Sequence, residues 1–350
     1  MITFILPSPA DTPSGGYKVV YEYANRLVNR GYQIAIGFDC RTTGAHYHFP
    51  EWVRRLLARV IGNYRCMRYP RWFHLDTRIH KFCVFTNQLP KSDYYIATAY
   101  HTTELVTNSP GKWLYLIQDF ENWDAVTDDD VYNSYRKIDK RIVIAKWLLE
   151  KIESNIHSGE NTLIYNGLDS NVFFPICDIE ERYHHSIAML YHPGEYKGAR
   201  YGIEVIKKVK DAYPDLKAIV FGVPQRPDTL PEWIDYRQNV SQADLNRLYN
   251  ASTVVLLPSI EEGFGLTGIE AMAAGCALCT SDFKGAREYA INNYNALVSP
   301  PKDVDKMVEN VKKVFESKEI RNRLSEHGMH ITHKFNWESS IDKFIHFMKL

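Results

Sequence analysis

Short apolar runs rich in β-branched residues alternate along this chain with stretches whose apolar positions recur every three or four residues. The first pattern predicts buried parallel strands and the second amphipathic helices. In the first half, strands are expected at residues 2–6, 33–39, 82–86, 94–97, 113–117, 142–144 and 163–166, and helices at 17–29 and 146–153. The helix over 17–29 places Val20, Tyr23, Ala24 and Leu27 on one face and stops at Gly31. Residues 176–186 are polar and aperiodic, which suits a linker. The pattern then restarts, with strands at 187–191, 217–221 and 253–257 and a helix running through Lys210. An amphipathic helix follows at 304–315, with Val304, Met307, Val308, Val311 and Val314 inward, and a last one at 339–348. Strand and helix alternate in both halves, so the fold class is α/β, with two Rossmann-like domains.

Length is compatible with that division, since 350 residues can bury two cores. The 42 basic and 42 acidic side chains cancel, so nothing global draws the chain to nucleic acid. No apolar run approaches the roughly eighteen residues of a membrane span, and Met1 leads straight into a strand; a cytoplasmic location is expected. The six cysteines have no framework spacing. Cys276 and Cys279 match C-x-x-C but lie in a strand-like run, and reduced core thiols are expected.

One stretch departs from the neutral balance. Residues 51–73 hold six Arg against one Glu, interleaved with aromatic and aliphatic residues. On a helix, Trp52, Leu56 and Val60 share one face and Arg55 and Arg59 another. Two readings stand side by side: peripheral contact with anionic membrane, or a helix packed on its own domain with a solvated arginine face.

The candidate chemistry centres on residues 258–282. A buried strand closed by Pro258 runs into Gly263 and Gly265, and from Thr267 to Ala274 the pattern is helical, capped by Gly275. Strand, glycine turn and helix together present amides and a positive dipole end to an anion. Glu262 precedes the glycines and Glu270 follows them. Carboxylates accept from sugar hydroxyls, and amides around Gly265 and Leu266 donate to phosphate, so the set suits a nucleoside-diphosphate sugar. A second glycine turn, Gly15-Gly16, precedes the helix at residue 17, without the G-x-G-x-x-G spacing of a dinucleotide site. That absence counts against a nicotinamide oxidoreductase.

Glu262-Gly263-Phe264-Gly265-Leu266 followed by Glu270-Ala271-Met272-Ala273 resembles the signature of glycosyltransferase family 4, retaining enzymes of GT-B fold. The likeness extends over about 187–340 and is thinner over 1–170. It implies two domains facing across a cleft, an acceptor domain at 1–175, a donor domain at 186–333, and a terminal helix at 334–350 packing back on the first domain. It also implies that Glu262 contacts donor-sugar hydroxyls, Glu270 the ribose, and the amides of Gly263, Phe264, Gly265 and Leu266 the diphosphate. Gly15 and Gly16 would close over the donor phosphates, and Val240 would lie near the base. Lys197 matches the family's leaving-group cation, but His192 stands where an arginine is expected, so neutralisation of the diphosphate would be incomplete or would vary with pH.

His101, in the loop after the strand at 94–97, is the candidate near the reacting sugar. Residues 118–121 resemble a segment of rhamnosyltransferase-like members, which bears on donor or acceptor choice. Asp128, Asp129 and Asp130 read as a helix-start cluster rather than a metal clamp, and no metal or cofactor is expected. The expected activity is transfer of a hexose or deoxyhexose to a glycan or lipid-linked saccharide. A GT-B epimerase or hydrolase, and a sugar-nucleotide-binding module without turnover, are the alternatives.

Overall fold

The computed structural model describes residues 1–41, 50–123 and 125–349. The chain divides into one compact unit, Met1–Tyr165 with Ile341–Leu350, and a second, Asn166–Ser340.

The first unit holds strands β1 (Ile2–Leu6), β2 (Ile34–Asp39), β3 (His80–Val84), β4 (Tyr94–Ala97), β5 (Lys112–Ile117), β6 (Lys140–Val143) and β7 (Glu160–Leu163). They form one parallel sheet in the order β3-β2-β1-β4-β5-β6-β7. Its helices are α1 (Gly15–Asn29), α2 (Glu51–Arg68), α3 (Thr103–Thr107), α4 (Asp128–Arg136) and α5 (Lys146–Glu153). Ile2 pairs with Ile34 on one side of β1 and with Tyr94 on the other. Every residue of β1 and β2 is buried, as a strand covered on both faces requires.

The second unit holds β8 (Ser186–Tyr191), β9 (Lys217–Gly222), β10 (Asp235–Gln238), β11 (Val254–Leu257), β12 (Ala277–Ser281) and β13 (Ala296–Ser299). These too are parallel, in the order β10-β9-β8-β11-β12-β13. Helices α6 (Ala199–Ala212), α7 (Gln242–Asn250), α8 (Leu266–Ala273), α9 (Val304–Glu316) and α10 (Lys318–Thr332) accompany them. The sheet residues Ile187, Met189, Val220, Val254 and Leu256 form one core with Val205, Ile206 and Val209 of α6 and Val311 and Val314 of α9.

Helix α11 (Trp337–Met348) passes from the second unit to the first. There Phe344 packs on Tyr23 at 4.9 Å and on Phe4 at 6.2 Å between ring centroids. Tyr94 Oη donates to the Met348 carbonyl at 2.7 Å. The return of the terminal helix to the first domain is therefore as expected.

Several local expectations need correction. Strand β3 begins at His80 rather than 82, and β7 ends at Leu163, where a strand from 163 to 166 was expected. Asn166 to Asp169 instead meets the chain on its way back: Leu168 N–H donates to the Phe335 carbonyl at 2.8 Å. A Cβ on Gly167 would lie 2.3 Å from the Trp337 ring, so only glycine fits there. Residues 176–186 are not a free linker. Arg182 is 5% exposed and donates to the carbonyls of Ser252 at 3.1 Å and Ala274 at 2.6 Å. Strand β10 was missed because Asp-Tyr-Arg-Gln is polar, which an edge strand tolerates. Helix α10 was also unforeseen.

Asp128, Asp129 and Asp130 form the first turn of α4, where Thr127 Oγ1 accepts from Asp130 N–H and the Asp130 carboxylate accepts from Thr127 N–H. Helix α2 does form over the basic stretch, but it packs through Ala58, Gly62 and Cys66, its three buried residues. A Cβ on Gly62 would meet the Phe85 ring at 3.0 Å. Trp52, Leu56 and Val60 face solvent. Among the described residues, no helix is long and apolar enough to cross a membrane.

Candidate active site

In a doubly wound parallel sheet the loops leaving the carboxyl ends of strands diverge where the strand order reverses, opening a crevice there. In the second unit that place lies between the adjacent strands β8 and β11. The loop after β8 carries His192, Lys197 and Gly198; the loop after β11 carries Pro258 to Gly265. Backbone bonds tie the two together, since Ile260 and Glu261 N–H both donate to the Tyr196 carbonyl, at 2.7 and 3.1 Å. Gly198 sits at φ 63° in the left-handed region, and a Cβ there would lie 2.0 Å from the Pro258 carbonyl oxygen. Only a glycine permits this approach.

The approach brings charge together. Lys197 Nζ lies 2.7 Å from Glu262 Oε2, and Ser259 Oγ donates to Glu262 Oε1 at 2.5 Å. Both carboxylate oxygens are thus oriented, in a residue only 9% exposed. The lysine ammonium keeps further donor capacity, and each carboxylate oxygen a further lone pair. Sequence reasoning put Glu262 on a sugar and Lys197 on a phosphate; the structure joins them directly. Ser259 was missed, although its place three residues before Glu262 in a tight turn was visible.

Next, Gly265 adopts φ 84° and begins α8 with no side-chain cap and no acid in the first turn. Tyr289 Oη donates to the Gly265 carbonyl at 2.9 Å and fixes the turn. Leu266 and Thr267 are half-buried, at the end where a helix leaves its first amides without intrahelical partners. Glu270 follows one turn later, buried, beside the Tyr249 and Tyr289 phenols. Burial drives both phenols well above their ordinary range, and the Glu270 charge adds to the rise in each. The Phe264 side chain packs between Tyr289 and Phe335, so only its backbone faces outward chemistry. Val240 is half-buried just beyond the edge strand β10, after Asn239 at φ 53°.

His192 differs from the expected cation. Its Nδ1 accepts from Gly194 N–H at 3.0 Å, which requires that nitrogen to be unprotonated. Burial lowers its pKa, Lys197 lowers it further, and Glu262 opposes them. The imidazole is neutral near pH 7, leaving Nε2–H as a donor without full charge.

The first unit reverses its strand order between β1 and β4. Gly15 and Gly16 open α1, again with no side-chain cap and no first-turn acid. Tyr17 Oη donates to the Ser8 carbonyl at 2.8 Å, tying the loop before them to the helix. The Gln118 side chain lies against Gly16, 3.5 Å from where its Cβ would be. His101 follows β4, exposed, on a turn held by Thr102 Oγ1, which accepts from Thr98 and Ala99 N–H at 3.1 Å each. Partial desolvation lowers the His101 pKa; the Asp39 carboxylate raises it and the Arg41 guanidinium lowers it.

Glu121, after β5, accepts from Tyr100 N–H at 2.6 Å. Burial pushes its carboxyl up to about 7, opposed by that N–H and assisted by Asp119. The strand-end position of Glu121 was legible in the sequence, but its partner was not. Among the described residues, no group of three or more His, Cys, Asp or Glu side chains could hold a metal ion.

Residues 187–330 match the family described as Glycosyl transferases group 1. An uncharacterized glycosyltransferase of Methanocaldococcus jannaschii, MJ1178, is 23% identical over 216 residues, covering 58% of this chain and 57% of that one. An O-antigen chain mannosyltransferase B of Escherichia coli is 30% identical over 118 residues, 34% of this chain and 30% of its own. The alignment to the first of these relatives thus spans just over half of its length.

Among solved structures, sucrose-phosphate synthase of Thermosynechococcus elongatus superposes with a TM-score of 0.74 at 16% identity, covering 99% of this chain and 98% of that one. Anabaena Alr3699/HepE, in complex with UDP-glucose, gives 0.73 at 15% identity over 100% and 99% of the chains. These likenesses show the fold, which is GT-B.

Proposed function

We propose, from the premise that residues 187–330 form a glycosyl transferases group 1 domain, that this protein is a retaining, metal-independent glycosyltransferase. Its donor is a nucleoside-diphosphate hexose or deoxyhexose, and its acceptor a glycan or lipid-linked saccharide at the cytoplasmic face of a membrane. One observation carries the reading. At the switch point of the second sheet, an ammonium–carboxylate pair stands beside an uncapped helix start reached through a left-handed glycine. Such a site offers donors to a diphosphate and acceptors to sugar hydroxyls within one turn of chain.

In this reading Lys197 and the amides from Gly263 to Leu266 take the charge that grows on the departing diphosphate. Glu262 holds the sugar hydroxyls and Glu270 the ribose. Val240 lies beside the base. Gly15 and Gly16 serve the donor phosphates, and His101 the reacting sugar. The bond from C1 to the diphosphate oxygen breaks while the acceptor oxygen bonds C1 on the same face, and the acceptor proton leaves with the phosphate.

A second reading, a module that binds sugar nucleotide without turnover, is favoured by one feature: the neutral His192 supplies less charge than an arginine would. Thermal shifts across UDP-, dTDP- and GDP-sugars identify the donor, because a ligand of the native state raises apparent stability with its affinity. UDP-glucose, seen in the HepE complex, is the first to try. Product analysis with and without saccharide acceptors then separates transfer from hydrolysis, epimerisation and binding alone. No shift with any sugar nucleotide would overturn the whole assignment.

A further inference from the structure

Helix α2 leaves more large apolar side chains in solvent than an ordinary surface helix does. Its buried residues are the small ones, Ala58, Gly62 and Cys66, each four apart. Five of its large apolar residues face solvent: Trp52, Leu56, Val60, Tyr64 and Met67 are 70%, 56%, 61%, 57% and 82% exposed, while Val53, Leu57 and Ile61 are half-buried. At 3.6 residues per turn these five fall in one stripe along the helix. Arg59 and Arg55 run along one flank and Arg68 along the other, while Arg54 and Arg65 lie on the side of the helix away from the stripe. Beside the N-terminal half of the helix a cavity of about 420 Å³ is lined by Arg41, Arg54, Arg55 and Arg59, with Glu51 as its one acid. Arg54 Nε is buried there with no hydrogen-bond partner among the described residues.

We propose that this face of α2 docks the protein on an anionic lipid bilayer, with the apolar stripe entering the headgroup–acyl boundary and the arginines seating lipid phosphates. The inference extends the reading of a membrane-linked acceptor but stands on its own surface. Soluble monomers rarely leave so continuous an apolar stripe in water. Charge decides the occupant. A second copy laid on the same face would set arginine against arginine, with only Glu51 to offset them. An acidic membrane surface complements both the stripe and its flanks.

The test is co-sedimentation of the full chain with vesicles of phosphatidylcholine alone, or mixed with phosphatidylglycerol. Binding to the mixed vesicles, little to the neutral ones, and release in high salt are expected. Arg55→Gln/Arg59→Gln should weaken partitioning by roughly fivefold per arginine removed. Trp52→Ser/Leu56→Ser/Val60→Ser should abolish it, while both variants keep the wild-type thermal shift with sugar nucleotide. Equal recovery with both vesicle types, or undiminished binding by the serine variant, overturns the proposal. So does a concentration-dependent dimer that the serine variant loses and that shows no vesicle binding. The sugar-nucleotide shift is read separately, so failure of docking is distinguishable from failure of the transferase reading.

Discussion

The two sheets reverse their strand order at equivalent places, between β1 and β4 and between β8 and β11, and each places a glycine turn and an uncapped helix there. What holds those turns differs. In the second unit Glu262, Gly263, Phe264 and Gly265 are all buried, their loop is bonded to its neighbour through Tyr196 and Lys197, and Ser259 braces Glu262 from within. In the first unit Ser14 and Gly15 are exposed, and the loop before them is tied to its helix through Tyr17 and Ser8. A site meant to stabilise developing charge gains from donors that need not reorganise, whereas a loop that must admit varied partners gains from freedom. Under the proposed function, the constrained turn of the second unit suits the chemistry and the freer loop of the first suits adaptability.

The sharpest way to break it is Lys197→Ala. Removing one partner of a mostly buried pair leaves Glu262 uncompensated and strips charge from the leaving-group side, at a cost of about 3–5 kcal/mol. Transfer should fall by two orders of magnitude or more, and His101→Ala in the first unit should cost less. Steady-state rates of the two variants check this; a larger loss from His101→Ala would reverse the assignment.

The first unit has a desolvated carboxyl of its own, and pH reads it. The Glu121 carboxyl is raised from 4.5 to about 7, so between those values the folded state holds a proton that the unfolded state has lost. Stability contributed by the protonated form is present below 4.5 and declines as pH rises toward 7. The shift converts to about 3 kcal/mol. Glu121→Gln should remove that decline, so its advantage over wild type grows from pH 4.5 to 7 in denaturant titrations. Parallel curves would show that the carboxyl titrates normally.

A matched pair of glycine substitutions tests the turns directly. Gly265→Ala forces a side chain into φ 84° with its Cβ 2.8 Å from Phe283 and the Tyr289 hydroxyl, and should cost about 1–3 kcal/mol. Gly16→Ala meets only Gln118, at 3.5 Å, and should change stability by less than about 1 kcal/mol. Melting temperatures of the two decide whether the second turn is the more constrained. The smallest effect is expected at His192. Because its imidazole is already neutral at pH 7, nucleoside diphosphate affinity should vary little from pH 7 to 8, and His192→Arg should tighten it by up to about tenfold. Affinity that falls steeply with rising pH would restore the imidazolium reading.

Much of this was legible because it is local. Strands β1, β4 and β11 are short buried runs, and periodicity finds such runs without knowing their neighbours. The Glu262–Glu270 string marks a strand, a glycine turn and a helix within a few residues, so its chemistry could be read before the fold was known. Strand β10 escaped because its polar residues stand mostly exposed at the sheet edge, and the packed segment around Arg182 because that side chain is satisfied by carbonyls distant in sequence.

By itself, then, the sequence determined the alternation of strands and helices, the two glycine turns and the acids beside the second. These depend on periodicity and backbone freedom, which each residue carries with it. Only the tertiary structure decided that Lys197 would pair with Glu262, that His192 would be neutral, that the Glu121 carboxyl would be raised, and that α2 would bury Ala58, Gly62 and Cys66 while Trp52, Leu56, Val60, Tyr64 and Met67 stay exposed. Each of those outcomes depends on desolvation and on a partner supplied by another strand or loop, and neither exists until the sheets have formed.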